Sequence, residues 1–173
     1  MENDVDRRQT AHLVLRRPST ADRDFVVDLF SRFELVAHRP HPVPDSPEDS
    51  EARLSRDIRH WQSHGFGRWA VERGERLIGF GGLTHRRGYE GLDISYHLHP
   101  ESWGNGYASE LVAEAVAVAF GPLHAHRVIG LVRAANLASR RVLERNGFSF
   151  EQEVELDGAP TQLLALDSLL RIS

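Results

Sequence analysis

Between Leu92 and Leu98 the chain alternates strictly: Leu92, Ile94, Tyr96 and Leu98 are apolar or aromatic, and Asp93, Ser95 and His97 are polar. Period two is the repeat of a strand with one face on a core and the other toward a cleft or solvent. The opposite signature follows. From Tyr107 to Phe120 the apolar residues Ala108, Leu111, Val112, Ala115, Val116 and Ala119 recur at helical spacing, which predicts the clearest helix in the chain. Weaker alternation predicts strands over His12–Arg17, 68–72, 76–83, 127–132, 148–156 and 162–167, the last two around the turn Asp157-Gly158. Pro18-Ser19-Thr20 opens a helix through about Phe33, with Phe25, Val26, Leu29, Phe30 and Phe33 on one face. Ser46 followed by Pro47, Glu48 and Asp49 opens a second, carrying Leu54, Ile58 and Trp61 and ending near Gly65. A short helix over 137–146 is closed by Gly147. Three prolines (Pro40, Pro42, Pro44) keep 37–45 irregular.

The predicted order is βααβββαβαββ: an α/β (mixed α+β) fold with about seven strands in one sheet and four covering helices. At 173 residues and 19.5 kDa the chain suits a single domain over 1–173, with residues 1–10 as a flexible tail. No internal repeat or low-complexity linker divides it.

Composition narrows the chemistry. There is no cysteine, which excludes disulfides, Cys-based zinc sites and thiol nucleophiles. All 21 basic residues are arginine. A net charge of −4 speaks against nucleic acid as partner. No apolar run reaches the roughly 20 residues of a membrane span, and the polar start is no secretory signal, so a cytoplasmic location is expected. The ten histidines, including His97, His99, His124 and His126, show no HExxH and no zinc-like spacing; solvated or hydrogen-bonding roles suit them better than a metal site.

Two segments carry candidate chemistry. Trp103-Gly104-Asn105-Gly106-Tyr107-Ala108-Ser109 lies between a strand and the strongest helix. Glycines let backbone N–H groups turn outward and the helix N-terminus adds partial positive charge, an anion site fit for pyrophosphate. A plain strand-to-helix turn is the alternative. A dinucleotide fingerprint is excluded because Ser109 stands where its third glycine belongs, and a P-loop because there is no lysine. The second segment runs from Asn136 through Ser139 to Gly147-Phe148; taken alone, it is an N-cap, a third helical residue and a helix stop.

Together, at this separation, the segments resemble the GCN5-related N-acetyltransferase (GNAT) superfamily, and within it the RimJ/RimL-like group that modifies ribosomal-protein N-termini and similar amines. The resemblance rests on Pro100, Trp103 to Ala108, the following helix and strand, Asn136, Ser139 and Gly147-Phe148, with Leu15 to Pro18 and Gly79 to Leu83 also fitting. It spans about residues 12 to 167. It implies a mostly antiparallel sheet splayed between its fourth and fifth strands, and acetyl-CoA as cosubstrate with an amine as acceptor. Backbone amides of Asn105 to Ser109 would hold the pyrophosphate, with Leu98, Trp103, Gly104 and Asn136 also in the cofactor site and a homodimer as one option. A backbone N–H near His97-Leu98 would serve as oxyanion donor. Where many members carry a tyrosine, four residues after Ser139, this chain has Leu143, which leaves Ser139 to serve the departing thiolate. Trp103 replaces the more usual Gln or Arg, as is common in the subgroup. His97, with Asp93 and Ser95 on the same strand face, is the candidate general base. A non-catalytic acyl-CoA sensor of the same fold is the competing reading.

Overall fold

The structure is a computed structural model describing residues 5–169. In chain order the strands are β1 (Arg7–Gln9), β2 (Val14–Arg16), β3 (Arg68–Arg73), β4 (Arg76–His85), β5 (Leu92–Leu98), β6 (Arg127–Arg133), β7 (Ser149–Leu156) and β8 (Ala159–Asp167). The helices are α1 (Arg23–Phe30), α2 (Phe33–Val36), α3 (Pro47–His64), α4 (Tyr107–Phe120) and α5 (Leu137–Arg145), with 3-10 turns at Thr20–Asp22 and Pro100–Ser102. All eight strands join one sheet in the order β1-β2-β3-β4-β5-β6-β8-β7.

Every neighbouring pair is antiparallel except β5 and β6. That parallel pair is matched only at Leu92↔Val128 and Asp93↔Ile129, whereas β4–β5 runs the full length of β5. Beyond Asp93 the two strands part, and the expected splay lies here.

The sheet is covered on both sides. On one, Ile94, Leu98, Val128 and Val132 pack with Leu111, Val112 and Ala115 of α4 and Leu143 of α5. On the other, Ala70 and Phe80 pack with Val26, Leu29 and Phe30 of α1, Leu54 of α3, and Leu35 and Val36 of α2. Each fully buried Val, Leu, Ile or Phe among them contributes about 1.5–3 kcal/mol. Two buried tryptophans satisfy their indole N–H on backbone: Trp61 on Arg68 O at 2.7 Å and Trp69 on Val5 O at 2.8 Å.

Three expectations need correction. Among the described residues the strands number eight and the helices five. Arg7–Gln9, placed in a flexible tail, pairs with β2 and is tied down by Val5 under Trp69; residues 1–4 lie outside the described residues. A polar tripeptide strand has no alternation to betray it. The helix expected to reach Phe33 ends at Phe30, because Ser31 Oγ donates to Asp28 O at 2.6 Å and Arg32 turns extended (φ −86°, ψ 126°). Phe33 therefore leaves the apolar face and is 56% exposed. The Asp157-Gly158 turn is as expected, both residues adopting positive φ (53° and 76°), the geometry a two-residue hairpin needs.

Candidate active site

A cleft of about 700 Å³ opens where β5 and β6 part. It passes from the start of α4 through the splay to the opposite side of the sheet, and is lined by both. On the α4/α5 side stand Trp103, Gly104, Gly106, Tyr107, Ala108 and Ser109, then Asn136, Ser139, Arg141 and Arg145. Tyr96, His97 and Leu98 form the middle, and Glu34, Leu35, Ala37 and His38 the far end.

The glycine turn is built as the sequence suggests. Gly104 and Gly106 adopt left-handed φ (79° and 80°), with open space where a Cβ would stand. Gly106 is the N-cap of α4 and offers no side chain to the first-turn N–H groups. Those donors face the cleft with the positive end of the helix dipole. The Asn105 side chain is spent on the turn itself, donating to Ser102 O at 3.1 Å and Trp103 O at 3.2 Å. Asn146 donates to Ser109 Oγ at 3.1 Å, fastening the end of α5 to the start of α4.

Backbone geometry sets which way the N–H groups at the end of β5 point. His99 N–H reaches back to Ile78 O of β4 at 2.7 Å. Alternation along the strand turns Leu98 N–H the other way, toward the parted edge. On that same edge Leu98 O accepts the Trp103 indole N–H at 2.8 Å, so Trp103 braces the strand end.

Asn136 is the N-cap of α5, and its Oδ1 accepts Ser139 N–H at 3.2 Å. Leu143 does not reach the cleft. It is buried over Gly130, where a Cβ would lie 2.5 Å from Leu143 Cδ1. Ser139 faces the cleft with Tyr96, a residue the sequence placed among core positions. The Tyr96 hydroxyl is buried and makes no hydrogen bond of proper geometry. Burial raises its pKa, and the neighbouring Ser139 hydroxyl pulls it the other way. An ionisable hydroxyl on an otherwise apolar strand face was the available signal.

The trio Asp93, Ser95 and His97 is not assembled as a catalytic group. Asp93 is buried at the paired end of β5, four residues or about 13 Å along the strand from His97. Arg86 Nη1 holds it at 3.2 Å. Burial raises its pKa to about 6, against the lowering influence of Arg86 and Arg68. It does not line the cleft. His97 does, edge-on to Phe30 with ring centroids 5.0 Å apart. Arg68 Nη2 lies 3.0 Å from His97 Nδ1. A guanidinium can only donate, so Nδ1 accepts and the ring proton sits on Nε2. Burial, then Arg68, Arg53, Arg39 and His38, push His97 well below the ordinary imidazole value. It is thus a neutral donor toward the cleft, and the base role expected for it lacks a free lone pair. His38 is also pushed down, by burial and by Arg39 and Arg133.

Among the described residues no group of three or more His, Cys, Asp or Glu is placed to hold a metal ion, and no helix is long and apolar enough to cross a membrane.

The fold that carries this cleft is matched in known proteins. The model of the acetyltransferase (GNAT) domain matches residues 12–149. The chain belongs to the GNAT acetyltransferase family. It is 30% identical over 150 residues to the uncharacterized N-acetyltransferase YoaA of Bacillus subtilis (strain 168), covering 83% of this chain and 82% of that one. Among solved structures, the spermidine N-acetyltransferase from Vibrio cholerae, in complex with CoA and spermine, superposes with TM-score 0.73 at 20% identity over 91% of this chain and 96% of that one. RimJ of Mycobacterium smegmatis, in complex with CoA-disulfide, gives 0.74 at 22% identity over 90% and 82%. At these identities the structures establish the shared fold.

Proposed function

We propose that this acetyltransferase moves an acetyl group from acetyl-CoA to a primary amine by direct attack in a ternary complex. The observation that carries the reading is the cleft's course. It starts at the unpaired N–H groups of α4, threads the parted strands and emerges on the far face, so two substrates can meet from opposite sides. The ends differ in charge: Arg141 and Arg145 line the phosphate end, and Glu34 is the carboxylate among the described lining residues at the other. That polarity suits an anionic cofactor and a cationic amine.

Acetyl-CoA supplies the activated acetyl group, and its chemistry fits the residues present. Gly104 and Gly106 leave room for close approach, the first-turn amides of α4 bind phosphate oxygens, and the parted edge of β5 receives the pantetheine arm in place of a paired strand. Leu98 N–H stabilises charge on the acetyl oxygen. The C–N bond forms as the C–S bond breaks, Ser139 hydrogen-bonds the departing sulfur, and the proton shed by the nitrogen ends on that sulfur, leaving CoA as the thiol. His97 Nε2–H and Glu34 position the acceptor, which enters its attack as the free amine, making catalysis mainly a matter of positioning.

The acceptor is sought among N-terminal peptides and polyamines, the classes named for the RimL and spermidine enzymes of the same fold. Release of CoA measured over such a panel, with aminoglycosides included, tests the reading. Turnover with at least one amine is expected. Calorimetric acetyl-CoA binding without turnover on any amine would favour the sensor, and absence of binding would reject both.

A further inference from the structure

We infer that the Tyr96 hydroxyl is a positioning group for the reaction, donating to Ser139 Oγ so that the Ser139 hydrogen is aimed into the cleft at the sulfur of CoA. The inference rests on the acetyl-CoA reading of the cleft and adds a residue to it.

Tyr96 is held firmly. It pairs across from Gly81, where an added Cβ would stand 2.7 Å from Tyr96 Cβ and 2.5 Å from Leu111 Cδ2. The absence of a side chain at Gly81 lets the tyrosine and α4 close on the same spot. The ring then runs between sheet and helix to the cleft, which it lines together with Ser139. Its hydroxyl ends buried and unpartnered. Leaving a buried polar atom unpaired costs about 1–3 kcal/mol, and phenylalanine would avoid that cost with the same ring. The structure thus keeps a hydroxyl that stability alone does not favour.

Ser139 provides the reason. Its backbone N–H is fixed by Asn136 Oδ1, but its hydroxyl is a free rotor with one hydrogen and two lone pairs. Tyr96 lines the same cleft, and its hydroxyl lies close enough for the Ser139 hydroxyl to pull its pKa down. The phenol is the stronger acid of the two and donates; Ser139 accepts, and its own hydrogen is left for the cleft. Once an occupant excludes water from the cleft, the lower local dielectric strengthens that donation. No bond is made or broken at Tyr96: its contribution is the direction of one O–H.

The test reads the thiol of CoA itself and so does not depend on the acceptor. CoA is bound at saturation, established by calorimetry, to the wild type, Tyr96→Phe, Ser139→Ala and the double variant, and its thiol is titrated by thiolate ultraviolet absorbance. Arg141 and Arg145 are present in all four, so differences report the hydroxyls. Ser139→Ala should reduce the thiolate stabilisation about tenfold, Tyr96→Phe by a similar or smaller factor, and the double variant no further than Ser139→Ala. Tyr96→Phe should melt no lower than the wild type, which separates positioning from packing. A wild-type titration in Tyr96→Phe, or losses that multiply in the double variant, would overturn the inference. Failure of the wild type to bind CoA would instead remove the cofactor reading, and this inference with it.

Discussion

Arg68 donates from Nη2 to His97 Nδ1 at 3.0 Å, and this contact decides what the histidine can do. With its acceptor nitrogen occupied and its pKa pushed far down by burial and nearby arginines, His97 neither gains nor gives up a proton near neutrality. The rising limb of kcat/KM with pH is therefore expected to follow the acceptor amine's own pKa. His97→Gln should lower the rate through lost positioning and leave the midpoint of that limb unmoved. A wild-type limb at about 6 to 7 that vanishes in His97→Gln would restore the histidine as base.

The cofactor end is tested by a matched pair of glycines. Gly106 (φ 80°) caps α4 in the cleft, and Gly65 (φ 74°) closes α3; neither has an atom within 4 Å of a built Cβ. Valine at either site strains a left-handed residue by about 1–2 kcal/mol. Only Gly106→Val should also lower acetyl-CoA affinity, by about tenfold or more, because its branched side chain stands before the first-turn amides. Equal affinities in the two folded variants, measured by calorimetry, would remove the pyrophosphate from this turn.

What the sequence showed and what it hid follow from range. Periodicity located β5 and α4 at their observed bounds, since alternation and the helical stripe are local properties. The glycine turn and the Asn136 cap were legible for the same reason: each acts within a few residues. His97 was legible as a cleft residue but not as a donor, because Arg68 lies 29 positions away on β3. Asp93 looked equivalent to His97 by parity, and only the point at which β5 and β6 part separates the buried, paired residue from the open one. Tyr96 was hidden by the assumption that one strand face is core. A cleft that passes through the sheet is lined from both.

Glu34 lies in the first turn of α2, a helix the sequence did not predict, and lines the far end of the cleft. A carboxylate there attracts the ammonium form of the acceptor before attack. Being exposed, the pair is worth on the order of 1 kcal/mol or less, so Glu34→Gln should raise KM for the amine by about 3- to 5-fold. Acetyl-CoA affinity, set at the other end, should hold. Steady-state kinetics with the acceptor varied and acetyl-CoA saturating would show it; a change confined to acetyl-CoA KM would move Glu34 out of the acceptor site.

Asp93 gives a stability prediction whose sign is fixed by its environment. Burial raises it from 3.8 to about 6 in the fold, despite Arg86. Below the unfolded value both states carry the proton and Asp93 contributes no pH dependence. Between about 3.8 and 6 the folded chain retains a proton that the unfolded chain has lost, so folding weakens as pH rises through this window. Above 6 both states are ionised and the penalty is complete, about 3 kcal/mol for a shift of this size. Asparagine keeps the shape without the charge and leaves Arg86, whose side chain is 37% exposed, free to be hydrated. Relative to the wild type, Asp93→Asn should therefore gain about 3 kcal/mol between pH 4 and pH 7 in urea unfolding. Parallel profiles for the two proteins would mean that Arg86 compensates the burial fully. A folded Asp93→Asn protein with collapsed kcat would return Asp93 to the catalytic set, from which its distance along β5 now removes it.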